Sequence, residues 1–326
     1  MAGARCDGPS PTVIGDGELP ARQKVKRLDN WQLFAVCVGV WSTTWYAITF
    51  QIGYTPPEVG VAMRFGVAGL LVLAWCALRG LPLRFRVHEH GRLLLQGGFM
   101  YGVSYVCVYH AEKYLVSGLV AVGFSASPLV TALGARIFFG QPLSRRFLAG
   151  GVLGMLGVAT IFWPELARAS ANDSAALGAL FTMAAVGLST VGSLTASRNK
   201  IHGMSFWPSL GWGMTYGGLA GATAALLQGQ SFALPAAASW WFALLYLSLA
   251  GSILTFACFL TLQNRVGPGP TATIGVMTPL LALVVSLLLE NYRPDLLSLL
   301  GAVLAVIGNV FMLQIKVPSK TTLVAT

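Results

Sequence analysis

From residue 31 onward the chain is a succession of apolar stretches, each near 20 residues, separated by short polar or Pro/Gly-containing turns. The stretches fall at approximately 31–50, 58–78, 92–111, 116–138, 146–163, 175–196, 206–227, 239–262, 269–289 and 295–315. A helix rises about 1.5 Å per residue, so about 20 apolar residues cover the roughly 30 Å hydrocarbon core of a bilayer. The pattern predicts an all-α membrane protein with ten transmembrane helices. No turn between them is long enough to hold another domain.

The stretches also repeat. Gly118–Gly157 reads as a membrane helix, a short basic turn and a second, glycine-rich helix, and Gly269–Gly308 reads the same way. Pro128 matches Pro279, Gly150 matches Gly301 and Gly157 matches Gly308, all at an offset of 151 residues. Pro57 and Pro208, Met63 and Met214, and Gly66 and Gly217 keep that offset. Each half, 31–163 and 175–315, therefore holds five spans, and an odd number turns the second half upside down relative to the first. Two inverted five-helix repeats place a binding site near the midplane and allow it to face either side in turn.

Charge sets the orientation. With the N-terminal tail in the cytoplasm, that side collects the tail itself (Arg5, Arg22, Lys24, Lys26, Arg27), Arg79, Arg84, Arg86, Arg92, Arg136, Arg145, Arg146, Arg198, Lys200, Arg265, Lys316 and Lys320. Only Lys113, Arg168 and Arg293 fall on the other side, an imbalance that fixes both termini inside the cytoplasmic (inner) membrane. Residues 1–30 read as a disordered basic tail without the apolar core of a signal peptide, and 316–326 as a second cytoplasmic tail. The same bias explains the net charge of +10 without nucleic acid. At 10% charged residues and a mean hydropathy of +0.69, the chain has too little polar surface for a water-soluble domain, whose charged share is about 25%. Of Cys6, Cys37, Cys76, Cys107 and Cys258, four fall inside apolar stretches and none forms a CxxC pair, so they read as small apolar packers.

An ionisable residue inside a bilayer costs about 2.5–3.5 kcal/mol at a helix centre, so each is a functional candidate. Arg64 lies some seven residues into the second span. It either reaches the outer interface or pairs structurally, or it lies on the solute's path and attracts a carboxylate. His110 and Glu112 end the third span on the same side; a Glu112–Arg64 pair would offset the desolvation of both, and either His110 or Glu112 could carry a coupling proton. Tyr101, Tyr105 and Tyr109 recur every four residues and line one helix face. Trp41 and Trp45 pair similarly around Ser42 and Thr44, while Phe124, Ser125 and Ser127 precede the helix-bending Pro128. The second half offers Ser189, Thr190, Ser252, Thr255, Met277 and Thr278, with Pro279 as the matching bend. Such a set makes either ordinary helix packing or a chamber with aromatic walls and a few hydroxyls. Gly150, Gly151, Gly154, Gly157, Gly301 and Gly308 form small-residue faces for close packing.

Other patterns fall away. His88-Glu89-His90 lacks the HExxH spacing of a metalloprotease, and Gly211, Gly213 and Gly217 sit in a Trp/Tyr-rich span, not a dinucleotide loop. No nucleophile has a neighbouring base, so the sequence points to no enzyme, metal or cofactor.

WSTTWYAI (Trp41–Ile48), Met63-Arg64-Phe65, AEKYLVSGLVAV (Ala111–Val122) and the Pro128, Gly150, Gly157 pattern resemble an EamA-type permease of the drug/metabolite transporter superfamily. The resemblance covers roughly 31–315, and its motifs are specific for the family and unspecific for the substrate. The chain departs from it where such permeases often carry Gly-Glu-Arg: the two copies read Gly140-Gln141-Pro142 and Asn291-Tyr292-Arg293. The resemblance implies a secondary transporter of small metabolites whose spans one, three, four, six, eight and nine surround the pathway. Related permeases include amino-acid exporters, and a chamber without a midplane charge suits a zwitterionic or neutral solute. The expected partners are a small-molecule substrate and the lipid bilayer; the sequence sets no oligomeric state. Multidrug efflux is the alternative, although Trp31–Phe50 lacks the acid used by four-helix relatives. Phosphorylated or nucleotide-linked substrates would need cationic anchors beyond Arg64. From another class, a non-transporting membrane binding or scaffold protein would share the same helices.

Overall fold

The computed structural model describes residues 28–140, 142–168, 174–271 and 273–313, all helix and connecting turns, with no strand among them. The helices are α1 (Asn30–Ile52), α2 (Pro57–Leu78), α3 in three consecutive segments (Val87–Gly97, Gly98–Val103 and Ser104–Ala111), α4 (Ser117–Phe139), α5 (Arg145–Arg168), α6 (Ser174–Ile201), α7 (Phe206–Leu227), α8 (Ala238–Val266), α9 (Ile274–Leu289) and α10 (Leu296–Leu313). They coincide with the predicted stretches to within a few residues. The main difference is α3, which starts at Val87 and so carries His88-Glu89-His90 on its first turns. The basic tail (1–27) and residues 314–326 lie outside the described residues, as does Gln141 of the α4–α5 turn.

Local chemistry accounts for the ends. Asp29 caps α1 reciprocally with Gln32: each side chain accepts the other's backbone N–H at 3.1 Å. Pro57 opens α2, where a missing N–H costs nothing. After α4 the chain turns through Gly140 at φ +65°, and after α9 it turns at the equivalent Asn291 at φ +54°. These are left-handed conformations suited to Gly and tolerated by Asn.

The repeat is written into the backbone as well as the sequence. Gly98–Val103 of α3 is a π-helical turn, and so is Leu249–Leu254 of α8, displaced by the same 151 residues. Equivalent helices pack face to face: α2 against α7 and α5 against α10. Their separation is set by glycine. A Cβ on Gly308 would collide with the backbone of Gly154 and Gly150, and one on Gly157 with Ala305 and Gly301. A Cβ on Gly69 would lie 2.5 Å from the Thr215 backbone, and one on Gly218 2.6 Å from that of Gly66. The remaining large interfaces also join the two halves, α1 with α8 and α9, α3 with α6 and α7, and α4 with α9, so the repeats interlock as one bundle.

Five helices, α1, α2, α4, α6 and α8, are long and apolar enough to cross a membrane, and Met277–Leu289 and Leu296–Met312 are shorter apolar helices. The outside of the bundle is apolar: Ile137, Phe242 and Leu288 are all more than two-thirds exposed. The polar side chains collect at the two ends. At one end, Gln96 accepts from Asn199 (2.9 Å), Lys200 donates to the Asn264 carbonyl (2.8 Å) and Arg265 to that of Leu28 (2.8 Å). At the other, Tyr109 donates to Gln51 (2.7 Å), Glu58 meets His110 (2.7 Å) and Ser117 donates to Glu290 (2.8 Å). We call these the amide end and the acid end.

Candidate functional site

Between the ends lies a cavity of about 930 Å³ of empty space, open solvent included. Its walls come from six helices, three from each half: Trp41, Thr44, Trp45 and Ile48 of α1; Met100, Ser104, Tyr105 and Val108 of α3; Ala121, Phe124, Ser127 and Thr131 of α4; Ser189, Thr190 and Ser193 of α6; Phe256 and Phe259 of α8; Gly275, Thr278 and Pro279 of α9. No lining side chain carries a charge.

The aromatic wall is interlocked. Trp41 meets Phe256 edge-on at 5.1 Å between ring centroids and Phe259 at 5.3 Å, while Trp45 meets Phe124 at 5.0 Å. Such contacts fix ring planes as well as fill space. Trp41 Nε1 donates to the Gly251 carbonyl at 3.2 Å, within the π-helical turn of α8. The indole N–H of Trp45 and the hydroxyl of Thr278, by contrast, have no hydrogen-bond partner. They are a donor and a donor–acceptor held against an apolar wall, the form in which a site recognises one polar group on a small molecule.

The structure brings Trp41, Thr44, Trp45, Tyr105, Phe124, Ser189, Thr190 and Thr278, with Pro279, to this one cavity. The other candidates lie elsewhere. Tyr101 and Tyr109 are fully buried and do not line the cavity: Tyr101 packs against Phe65 and Phe256, and Tyr109 donates to Gln51. Ser42 donates to the Val38 and Thr278 carbonyls between α1 and α9. Ser125 is buried in a 3₁₀ turn (Phe124–Ala126), so Ser127 takes the cavity position. That turn interrupts α4 just before Pro128, whereas Pro279 lies inside α9. Met277 is 40% exposed and faces out of the bundle. Ser252 and Thr255 serve the neighbouring cation and carbonyl: Ser252 accepts from Arg64 Nε at 3.0 Å, and Thr255 donates to Gly251 at 2.7 Å.

Arg64 neither reaches the surface nor pairs with Glu112. It is 0% exposed, its guanidinium lies 4.6 Å from the Tyr105 ring centroid and 5.0 Å from that of Phe65, and Nη2 donates to the Gly251 carbonyl at 3.4 Å. The π-helical turn frees that carbonyl, and the planar guanidinium fits between it and the aromatic faces. Tyr105 stands between Arg64 and the cavity. Glu112 follows the last residue of α3 and is buried with both carboxylate oxygens unpartnered. Burial pushes its carboxyl well above the usual carboxylate range; nearby Glu290 adds to the push and Arg64 opposes it. His110 instead meets Glu58, which sequence reasoning passed over because an acid in the first turn of a helix reads as a favourable end charge. His110 also stacks on Phe181 at 5.1 Å, and Gln228 donates to Glu58 at 3.2 Å. Among the described residues no group of three His, Cys, Asp or Glu side chains is placed to hold a metal ion, and the four described cysteines are buried and free.

Comparison with known proteins agrees with this layout. The profile of the EamA-like transporter family matches residues 30–163 and 175–314, one match per repeat. Protein PecM of Dickeya dadantii is 26% identical over 282 residues, covering 85% of this chain and 89% of its own. The uncharacterized inner membrane transporter YedA of Escherichia coli strain K12 is 26% identical over 261 residues, covering 77% of this chain and 79% of its own. A solved crystal structure superposes with a TM-score of 0.65 at 17% identity, over 87% of this chain and 96% of that one, a likeness of fold.

Proposed function

Since the chain belongs to the EamA-like transporter family, its cavity is the part of a membrane transporter most in need of a ligand, and we propose that it holds a net-neutral small metabolite in transit. The observation that carries this is the lining: aromatic and aliphatic walls from both repeats, no charge, and the unpartnered Trp45 N–H and Thr278 hydroxyl as polar handles. A solute with a net charge would lose its hydration there without a counter-ion, at a cost of several kcal/mol. A zwitterion with an apolar side chain offsets its own charges, places that chain on the aromatic wall and offers its carboxylate to the Trp45 N–H and Thr278 hydroxyl, so amino acids are the first class to test.

In this reading ten helices cross the inner membrane as two inverted repeats with both termini cytoplasmic, and the chamber faces each side alternately, exporting its solute. The support is the shared 151-residue offset of prolines, glycines, π-helical turns and left-handed residues, together with the uneven distribution of Lys and Arg. Purified protein screened by thermal stabilisation against amino acids, organic cations and phosphorylated metabolites tests the substrate class. Stabilisation by net-neutral amino acids, lost in Trp45→Ala, is the expected result. Stabilisation by organic cations alone would point to multidrug efflux.

A further inference from the structure

A second, smaller cavity, of about 410 Å³ of empty space with open solvent included, lies at the amide end, between α3, α6, α7 and α8. Its polar lining is Gln96, Asn199, Lys200, Ser209, Gln263 and Asn264. Lys200 is exposed and Met204, in the α6–α7 turn, is half-buried, so the cavity lies at the end surface of the bundle. Within it, Asn199 Oδ1 and Ser209 Oγ are buried and have no partner. Two unsatisfied polar atoms on residues that line a cavity call for a hydrogen-bonding partner, and Asn199 Oδ1 in particular accepts an N–H.

The two cavities share a wall. Ser193 lines the aromatic chamber, Gln263 lines the amide cavity, and they are bonded to each other: Ser193 Oγ donates to Gln263 Oε1 at 3.0 Å. Gln263 Nε2 donates in turn to the Ser193 carbonyl at 3.2 Å and to Ser197 Oγ at 2.6 Å. One side chain of α8 thus clips to one face of α6 by three hydrogen bonds, beside the bond from Lys200 to the Asn264 carbonyl at the end surface. Bonds of this kind are exchangeable at little cost for bonds to a polar solute that brings its own donors and acceptors.

We infer that the amide cavity is the access subsite for the polar end of the solute, and that Gln263 is the movable partition between it and the chamber. The subsite half of this rests on the transport reading; the partition half rests on geometry alone. It is tested with N-ethylmaleimide on purified protein in lipid nanodiscs, in a Cys6→Ser background whose remaining cysteines are buried. Asn199→Cys reports the amide cavity and Thr190→Cys the chamber. Asn199→Cys should label at least tenfold faster than Thr190→Cys, and adding Gln263→Ala should speed Thr190→Cys about tenfold while leaving Asn199→Cys unchanged. A single cooperative melting transition and a size-exclusion profile matching the parent confirm that Gln263→Ala is folded; if it is not, Gln263→Met, which keeps the bulk and removes the bonds, takes its place with the same expectation. An unaltered Thr190→Cys rate, or chamber labelling as fast as cavity labelling from the start, overturns the inference. No solute is needed, so this outcome is independent of whether amino acids are transported.

Discussion

Glu112 and Gln263 occupy equivalent places in the two repeats, 151 residues apart, at opposite ends of the bundle. Gln263 uses its amide fully, bonded to Ser193 and Ser197, whereas Glu112 is buried with both oxygens unpartnered. The contrast extends to their surroundings. The amide end is held by Gln96, Asn199 and Gln263, and the acid end by Glu58, His110 and Glu290 with their hydrogen-bond partners. The repeats therefore agree in what shapes the backbone and differ in what fastens the ends. A duplicated scaffold must keep its helix spacings, whereas the side chains that close each end are free to differ.

The largest effect should come from the shared scaffold. Gly157→Leu and Gly308→Leu each place a side chain against backbone in the α5–α10 contact. Overpacking costs about 1–3 kcal/mol where side chains can yield, and here backbone must move, so both variants should lose folded protein in detergent. Equal losses would support equivalence of the repeats; a loss at only one site would break it. Next is Gln263→Ala, which removes three hydrogen bonds at roughly 0.6 kcal/mol each in a membrane protein, about 2 kcal/mol together, read as a lower melting temperature. Third, His110→Phe keeps the stack on Phe181 but leaves Glu58 with only the longer bond from Gln228, and should cost about 1 kcal/mol.

The smallest effect has the opposite sign. Because the Glu112 carboxyl is raised in the folded protein, the folded state holds its proton more tightly than the unfolded chain does. Its contribution is present at low pH and is lost as pH rises from the ordinary carboxylate range through the raised value. As pH rises above the ordinary carboxylate range, the parent's melting temperature should therefore fall more steeply than that of Glu112→Gln. Parallel curves would mean that Glu112 is solvated, and that the two ends differ less than their hydrogen bonds indicate.

The helices were legible because the bilayer-length apolar stretches and the Pro and Gly offsets state them directly, and the chamber's six helices followed from the family resemblance. What escaped reading was helical phase. Of Tyr101, Tyr105 and Tyr109 only Tyr105 lines the cavity, since Phe65 and Phe256 cover Tyr101 and Gln51 takes Tyr109, and no residue code announces a π-helical turn such as that of α3. The same turn in α8 frees the Gly251 carbonyl that receives Arg64 and Trp41, which kept a wholly buried arginine from view. Phe256 and Phe259, the partners of Trp41, sit in a stretch so uniformly apolar that its inward face carries no mark. Polar ends were harder still, since Glu58 and Gln263 gain their meaning from helices 52 and 70 residues away in sequence.

Solute counterflow in proteoliposomes tests the central claim most directly. Protein reconstituted with unlabelled amino acids inside should accumulate the labelled form of at least one net-neutral amino acid, and the rate should fall at least tenfold in Trp45→Ala while Met277→Ala, on the outer face, retains it. Binding of that amino acid without counterflow, or counterflow indifferent to Trp45, would contradict the account.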